Sequence, residues 1–222
     1  MDIKSKILIV NGSLGGSMGN TAQLIAALEK PLTTSGCDVK CMHLRNKSAD
    51  AKTYFELESP NTVDHPLKEF WLENLNWADA LVFTTGTYWD SWGSPLQIFF
   101  EAMTSSEGST SWLGKPAACL VTMHSVGGKG VLARLQSALS SFGALIPPMS
   151  GMVYSLVGHE MLRSPAHDES FDRDIWSLDD VDVIARNLIS TVEARLNGHL
   201  RYQAWPVDRS DPARRWFTLS SK

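Results

Sequence analysis

The sequence holds no Cys-x-x-Cys pair, and its three cysteines (Cys37, Cys41 and Cys119) are an odd set. A disulfide framework is therefore not expected, and the thiols fit a reducing cytoplasm. No His-Glu-x-x-His occurs among six scattered histidines, so a metal site finds no support. No apolar run approaches the roughly 20 residues that span a bilayer, which argues against membrane insertion. The N-terminus carries Lys4 and Lys6 and runs straight into a strand, with no apolar leader segment. Positive charge is not in excess: the net charge is −4, which gives no reason to expect nucleic acid or acidic membranes as partners.

What is present is an ordinary globular composition, 43% hydrophobic and 20% charged, in 222 residues. That length suits one well-buried core. No internal repeat or domain-splitting linker is visible. Residues 1–198 read as one domain. Residues 199–222 read as a tail holding Tyr202, Trp205, Trp216 and Phe217, which packs on the body or on a partner subunit.

The most informative stretch runs from Lys6 to Leu24. Ile7-Leu-Ile-Val10 suits a parallel strand buried on both faces. A loop with Gly12, Ser13, Gly15, Gly16, Ser17 and Gly19 follows, then Asn20 or Thr21 as a helix N-cap, then an apolar helix from Ala22. Converging backbone N–H groups, hydroxyl donors and a helix dipole together make an anion site. A Walker loop would need a lysine, but Gly19-Asn-Thr21 has none. The dinucleotide spacing Gly-x-Gly-x-x-Gly is missing. Gly15-Gly-Ser-Met-Gly19 matches a nucleophile elbow in letters, yet Ser17 lies well past its strand. A hydroxyl-lined loop for one terminal phosphate without a metal remains.

Two further loops follow apolar strands. After Ala80-Leu-Val-Phe-Thr84 come Gly86, Thr87, Tyr88, Trp89, Asp90 and Trp92, with Pro95 in the first turn of the next helix. After Ala117–Met123 comes His124-Ser-Val-Gly-Gly-Lys-Gly130. In open α/β sheets ligands bind at the carboxyl ends of strands, and flat aromatic walls suit a planar ring. Asp38–Leu44 reads as an edge strand and Arg45–His65 as a long surface connection. Leu67–Trp77 reads as a covering helix, Ala144–Tyr154 as a fifth strand and Gly158–Trp176 as a solvated loop. Ser177 opens a last helix that ends near Leu196. The alternation predicts an α/β fold, a doubly wound five-stranded parallel sheet of order 2-1-3-4-5 with helices on both faces.

Gly12-Ser13…Gly19-Asn20-Thr21 and the tyrosine loop leading into Pro95-Leu96 resemble the flavodoxin-like NAD(P)H-dependent FMN reductases and quinone reductases. Gly86 stands where that family commonly has proline, and Gln97 where it has lysine. The resemblance implies a flavodoxin-like fold with FMN as cofactor, NADH or NADPH as co-substrate, a small acceptor such as a quinone, and a homodimer. Ser13, Ser17, Gly19, Asn20 and Thr21 would hold the phosphate. Gly86, Thr87, Tyr88, Trp89 and Trp92 would border the ring system, and Thr122, His124, Ser125, Gly127 and Gly128 would close the third side. Backbone N–H groups of the third loop, with His124 or Lys129, would stabilise negative charge on the ring. Asp90 is the one acid in the two ring-facing loops, which favours a reductase over a flavodoxin-like electron carrier. That carrier, and a flavin-free member of the fold, are the alternatives.

Overall fold

Along Lys6–Asn11 (β1) the side chains alternate between two cores: Leu8 and Val10 enter one, Ile7 and Ile9 the other. A strand covered on both sides needs helices on both faces of its sheet, and the rest of the chain supplies them. The computed structural model describes residues 4–45, 65–162 and 176–206. In chain order the elements are β1, α1 (Asn20–Thr34), β2 (Asp38–His43), α2 (Lys68–Trp77), β3 (Ala80–Gly86) and α3 (Ser94–Met103). They continue with β4 (Ala117–Met123), α4 (Gly128–Phe142), β5 (Gly151–Ser155), α5 (Leu156–Leu162) and α6 (Val181–Leu196). The five strands form one sheet in the order β2-β1-β3-β4-β5, with every pairing parallel.

Helices α2, α3 and α4 bury Trp71, Leu75, Leu96, Phe99, Leu135 and Leu139 on one face, around Phe83 of the central strand. On the other face α1 and α6 bury Leu24, Leu28, Leu32, Ile184 and Leu188 against Ile9, Val82 and Leu120. β3 is buried at all seven of its residues, as expected of a central parallel strand. The predicted sheet and strand order are therefore those observed.

Four local details differ from expectation. The N-cap of α1 is Gly19, not Asn20 or Thr21. β5 starts at Gly151 because Pro147 and Pro148 lead a turn, closed where Ser150 Oγ donates to the Pro147 carbonyl (2.6 Å). Leu145 makes only an isolated parallel bridge to Pro116. The excursion after Gly158 begins as helix α5, in which His159 stacks on Tyr154 (ring centroids 4.3 Å apart). The connection over residues 46–64, and Trp216 and Phe217 of the tail, lie outside the described residues. Within the described tail, the Tyr202 ring covers Gly114: a Cβ there would sit 2.6 Å from it.

Lys115, in the turn before β4, is buried and donates from Nζ to the Leu75 carbonyl at the end of α2. Burial, and then repulsion from Arg195, lower its pKa to about 8, partly offset by Asp79. The folded value lies below the ordinary one of 10.5, so the unfolded chain binds more protons between the two. The stabilising contribution is complete above about pH 10.5 and is lost as pH falls through about 8. In chemical denaturation, stability is expected to gain an increment across that window that Lys115→Met lacks. Identical pH profiles for the two proteins would show that the ammonium is not desolvated.

Candidate functional site

The strand order makes the chain leave β1 toward β2 and return to β3, so the loops after β1 and β3 part at a switch point. The loop after β4 lies alongside. Close backbone approach holds the first two together. The Gly12 N–H donates to the Thr84 carbonyl (2.8 Å), and a Cβ at Gly93 would stand 2.5 Å from the Gly12 carbonyl. Thr85 Oγ1 accepts from the Gly93 N–H (3.1 Å) and so anchors the start of α3.

The first loop hangs on Asn11, the fully buried last residue of β1. Its Oδ1 accepts from the Ser13 N–H (3.1 Å) and from Thr84 Oγ1 (3.3 Å), and its Nδ2 donates to the Gly16 carbonyl (2.9 Å). Gly16 takes a φ of +54° and opens a single 3-10 turn through Met18. The loop then enters α1, whose first turn no side chain caps. Ser13 and Thr21 are buried beside that uncapped end, whereas Ser17 and Asn20 are exposed. From the end of β2, Arg45 crosses over and donates to the Leu14 carbonyl.

Hydroxyls line the space between the loops. Thr21 Oγ1 lies 3.2 Å from Thr122 Oγ1, across 101 residues of sequence. The Thr122 carbonyl accepts from the Thr87 N–H (2.8 Å). Two buried hydroxyls, Ser13 Oγ and Thr87 Oγ1, have no hydrogen-bond partner among the described residues. Leaving such a group unpaired costs about 1–3 kcal/mol. An orphaned Ser13 hydroxyl in the loop that leads into an uncapped helix N-terminus fits an acceptor-rich anion, as a phosphate monoester is. No group of three or more potential metal-ligating side chains occurs among the described residues.

The second loop is a two-residue hairpin in which Tyr88 and Ser91 exchange both backbone hydrogen bonds (2.8 and 2.9 Å). Its central residues, Trp89 and Asp90, have φ of 49° and 58°, an arrangement usually left to Asn-Gly. The turn sends the three aromatics three ways. The Tyr88 hydroxyl accepts from the Leu14 N–H (3.0 Å) and ties this loop to the first. Trp89 is fully exposed (101%). Trp92 packs edge-on against Phe100 (5.8 Å) and donates to Gln97 Oε1 (2.9 Å). Gly86 is explained by the same turn, since a Cβ there would lie 3.0 Å from the Tyr88 ring.

In the third loop His124 and Ser125 are exposed. Gly127, the N-cap of α4, has a φ of 87°, and a Cβ on it would fall 2.0 Å from Asp90 Oδ1. Gly128 packs on Val153, where a Cβ would come within 2.4 Å. Lys129 points its Nζ at the Trp176 ring (5.6 Å), away from the other loops. The structure thus brings together Ser13, Gly19, Thr21, Thr87, Tyr88, Thr122, Gly127 and Gly128, with Ser17, Asn20, His124 and Ser125 on the rim. Asn11, Thr84, Thr85 and Arg45 also shape the site and were not singled out from the sequence. Their one signal is polar residues at the carboxyl ends of otherwise apolar strands.

Comparison with known proteins agrees with this arrangement. The family model of NADPH-dependent FMN reductases matches residues 5–155. No curated protein matches the chain in sequence. Among solved structures it is similar to RosB with the bound intermediate 8-demethyl-8-formylriboflavin-5'-phosphate (17% identity, 98% of each chain covered, TM-score 0.62). It is also similar to the apo form of the NADH:FMN oxidoreductase EMOB (18% identity, 96% of this chain and 95% of that one, TM-score 0.56). A third is a flavodoxin, WrbA-like protein from Agrobacterium tumefaciens (14% identity, 86% and 99% covered, TM-score 0.54). Likeness at these identities shows the flavodoxin-like fold.

The Asp90–Gly127 contact is open to a mutant cycle. Gly127→Ala meets both the positive φ and the carboxylate, and is expected to cost about 1–3 kcal/mol in denaturation experiments. In an Asp90→Gly background part of that cost should vanish. Equal costs in both backgrounds would mean that the two loops do not touch.

Proposed function

The chain belongs to the NADPH-dependent FMN reductase family, and from that premise we propose an NAD(P)H-dependent FMN oxidoreductase that reduces a small planar acceptor such as a quinone by a ping-pong mechanism. The observation that carries the reading is the pair of orphaned hydroxyls, Ser13 Oγ in the first loop and Thr87 Oγ1 in the second, both buried without a partner among the described residues. Ser13, Thr21, the backbone of Gly19 and Asn20, and the dipole of α1 would hold the phosphate of FMN, with Ser17 at the rim. Thr87, Tyr88 and the Thr122–Gly128 segment would border its rings. FMN supplies the hydride-accepting and electron-donating chemistry, so no protein acid or nucleophile is called for.

The chain's own contribution is placement and charge. Backbone N–H groups at the start of α4, with His124 beside them, would stabilise negative charge on the bound ring. Lys129 would join them only by leaving Trp176. Each loop ends in an exposed apolar side chain: Met18 (80%), Trp89 (101%) and Val126 (74%). That rim supports a planar, largely apolar acceptor. Nicotinamide and acceptor would enter over the same rim and so exclude one another. None of the described helices is long and apolar enough to cross a membrane, and we place the protein in the cytoplasm, as a homodimer.

Replacing Ser13 and Thr21 together by alanine removes donors worth about 1.5–3 kcal/mol each when the acceptor is charged. FMN affinity in a fluorescence titration is expected to fall at least about tenfold. Riboflavin, which has no phosphate, should bind the unsubstituted chain far more weakly than FMN. Unchanged FMN affinity in the double variant would sink the phosphate assignment. In steady-state kinetics, double-reciprocal plots at several acceptor concentrations should be parallel. Intersecting lines would refute the shared opening and leave the cofactor assignment standing.

A further inference from the structure

Asn11 has one more hydrogen bond, and it leads out of the site. Its Nδ2 lies 3.0 Å from Nδ1 of His43, the last residue of β2. The orientation of the Asn11 amide is set by groups that have no choice of role. The Ser13 N–H can only donate, so it faces Oδ1, and the Gly16 carbonyl can only accept, so it faces Nδ2. The second N–H of Nδ2 then points at His43, whose Nδ1 must carry a lone pair. In a neutral imidazole that leaves the proton on Nε2. Nε2 has its acceptor: Cys41 Sγ lies 3.7 Å away. Burial, followed by Glu29, pushes the Cys41 thiol up to about 12, so the sulfur keeps its own proton and takes the imidazole's as a hydrogen bond.

We propose that His43 is a positioning residue for the phosphate loop: its unprotonated Nδ1 completes the shell of Asn11, and gaining a proton there unlocks the loop and weakens the hold on phosphate. A protonated Nδ1 sets N–H against N–H. Turning the Asn11 amide to meet it takes Oδ1 away from Ser13 and Thr84 and brings it against the Gly16 carbonyl. The loop cannot keep all of these contacts at once. The titratable or charged groups around this relay include Cys41 on the same strand, Glu29 of α1 and Arg45 just beyond β2. Helix α2, whose Phe70 and Asn74 line a pocket with His43, carries Lys68, Glu69 and Glu73. Glu29 acts on Cys41 and Arg45 holds Leu14. Lys40 of the same strand lies over the Trp77 ring instead (3.9 Å). His43 is the group that touches Asn11 itself.

The inference rests on the FMN reading above, and the test separates the two. FMN affinity would be titrated from about pH 8 to about pH 5 for the unsubstituted chain and for His43→Gln. A glutamine carbonyl accepts from Asn11 but does not titrate. The phosphate of FMN titrates in the same range, equally for both proteins. The unsubstituted chain should lose up to about tenfold more affinity per pH unit than the variant. Nitrogen NMR of the imidazole in the cofactor-free, unsubstituted chain should show the Nε2–H tautomer at the upper end of the range. Parallel pH profiles, or an Nδ1–H tautomer, would overturn the proposal. Should FMN bind neither protein at any pH, the cofactor reading falls. The tautomer, together with a parallel titration of inorganic phosphate, then decides the role of His43.

Discussion

One side-chain amide holds the functional end of this molecule together. Asn11 is buried at the point where β1 stops, and all four of its hydrogen-bonding positions are used. They reach the loop that follows, the neighbouring strand β3 and the edge strand β2. Such a hub is stabilising only when complete, because a buried amide with one position empty bears the desolvation cost without return. The curvature of the loop after β1 is therefore less a property of its glycines than of the amide beneath them. The glycines allow the bend, and Asn11 selects it.

The amide is placed in turn by the two-sided sheet. Both faces of β1 and β3 are packed, so neither strand can slip by one residue without sending its apolar side chains to the wrong core. Fixed register puts Asn11 level with Thr84, and Gly86 level with Thr122. The three loops start from the ends of these strands, and their mutual distances follow from the pairing. The cleft hydroxyls Thr21, Thr87 and Thr122 sit at or just beyond rigid elements, while the exposed residues Met18, Trp89 and Val126 sit on the loops themselves. The proposed cofactor contacts and the proposed acceptor rim thus fall on different parts of the structure.

Much of this was legible in the sequence. Short apolar runs followed by glycine loops announce a parallel sheet, and the hydroxyl-rich turn before α1 marks the loop that Asn11 shapes. The directions of the aromatics were not legible. Tyr88, Trp89 and Trp92 stand within five positions, and nothing in the sequence marks a turn with two positive φ values when neither central residue is glycine. Ala144-Leu-Ile146 reads as the start of β5, but the two prolines that follow turn the chain, so Leu145 makes only an isolated bridge and the strand begins at Gly151. Asn11 and Arg45 escaped notice for a common reason. A polar residue at a strand end reads as the start of a loop, and only the fold reveals which loop it serves.

The contacts that shape the cleft also join parts of the chain far apart in sequence. The loop itself is local, but Asn11 meets Thr84 across 73 residues and Thr21 meets Thr122 across 101. Contacts of such separation form only after the intervening chain has closed, which makes them late and slow to assemble. A nascent chain that has completed β1 and α1 carries every residue of the first loop and none of these long-range contacts. The mutual placement of the three loops therefore arises only with the docking of β3 and β4, after the residues of the first loop are already in the chain.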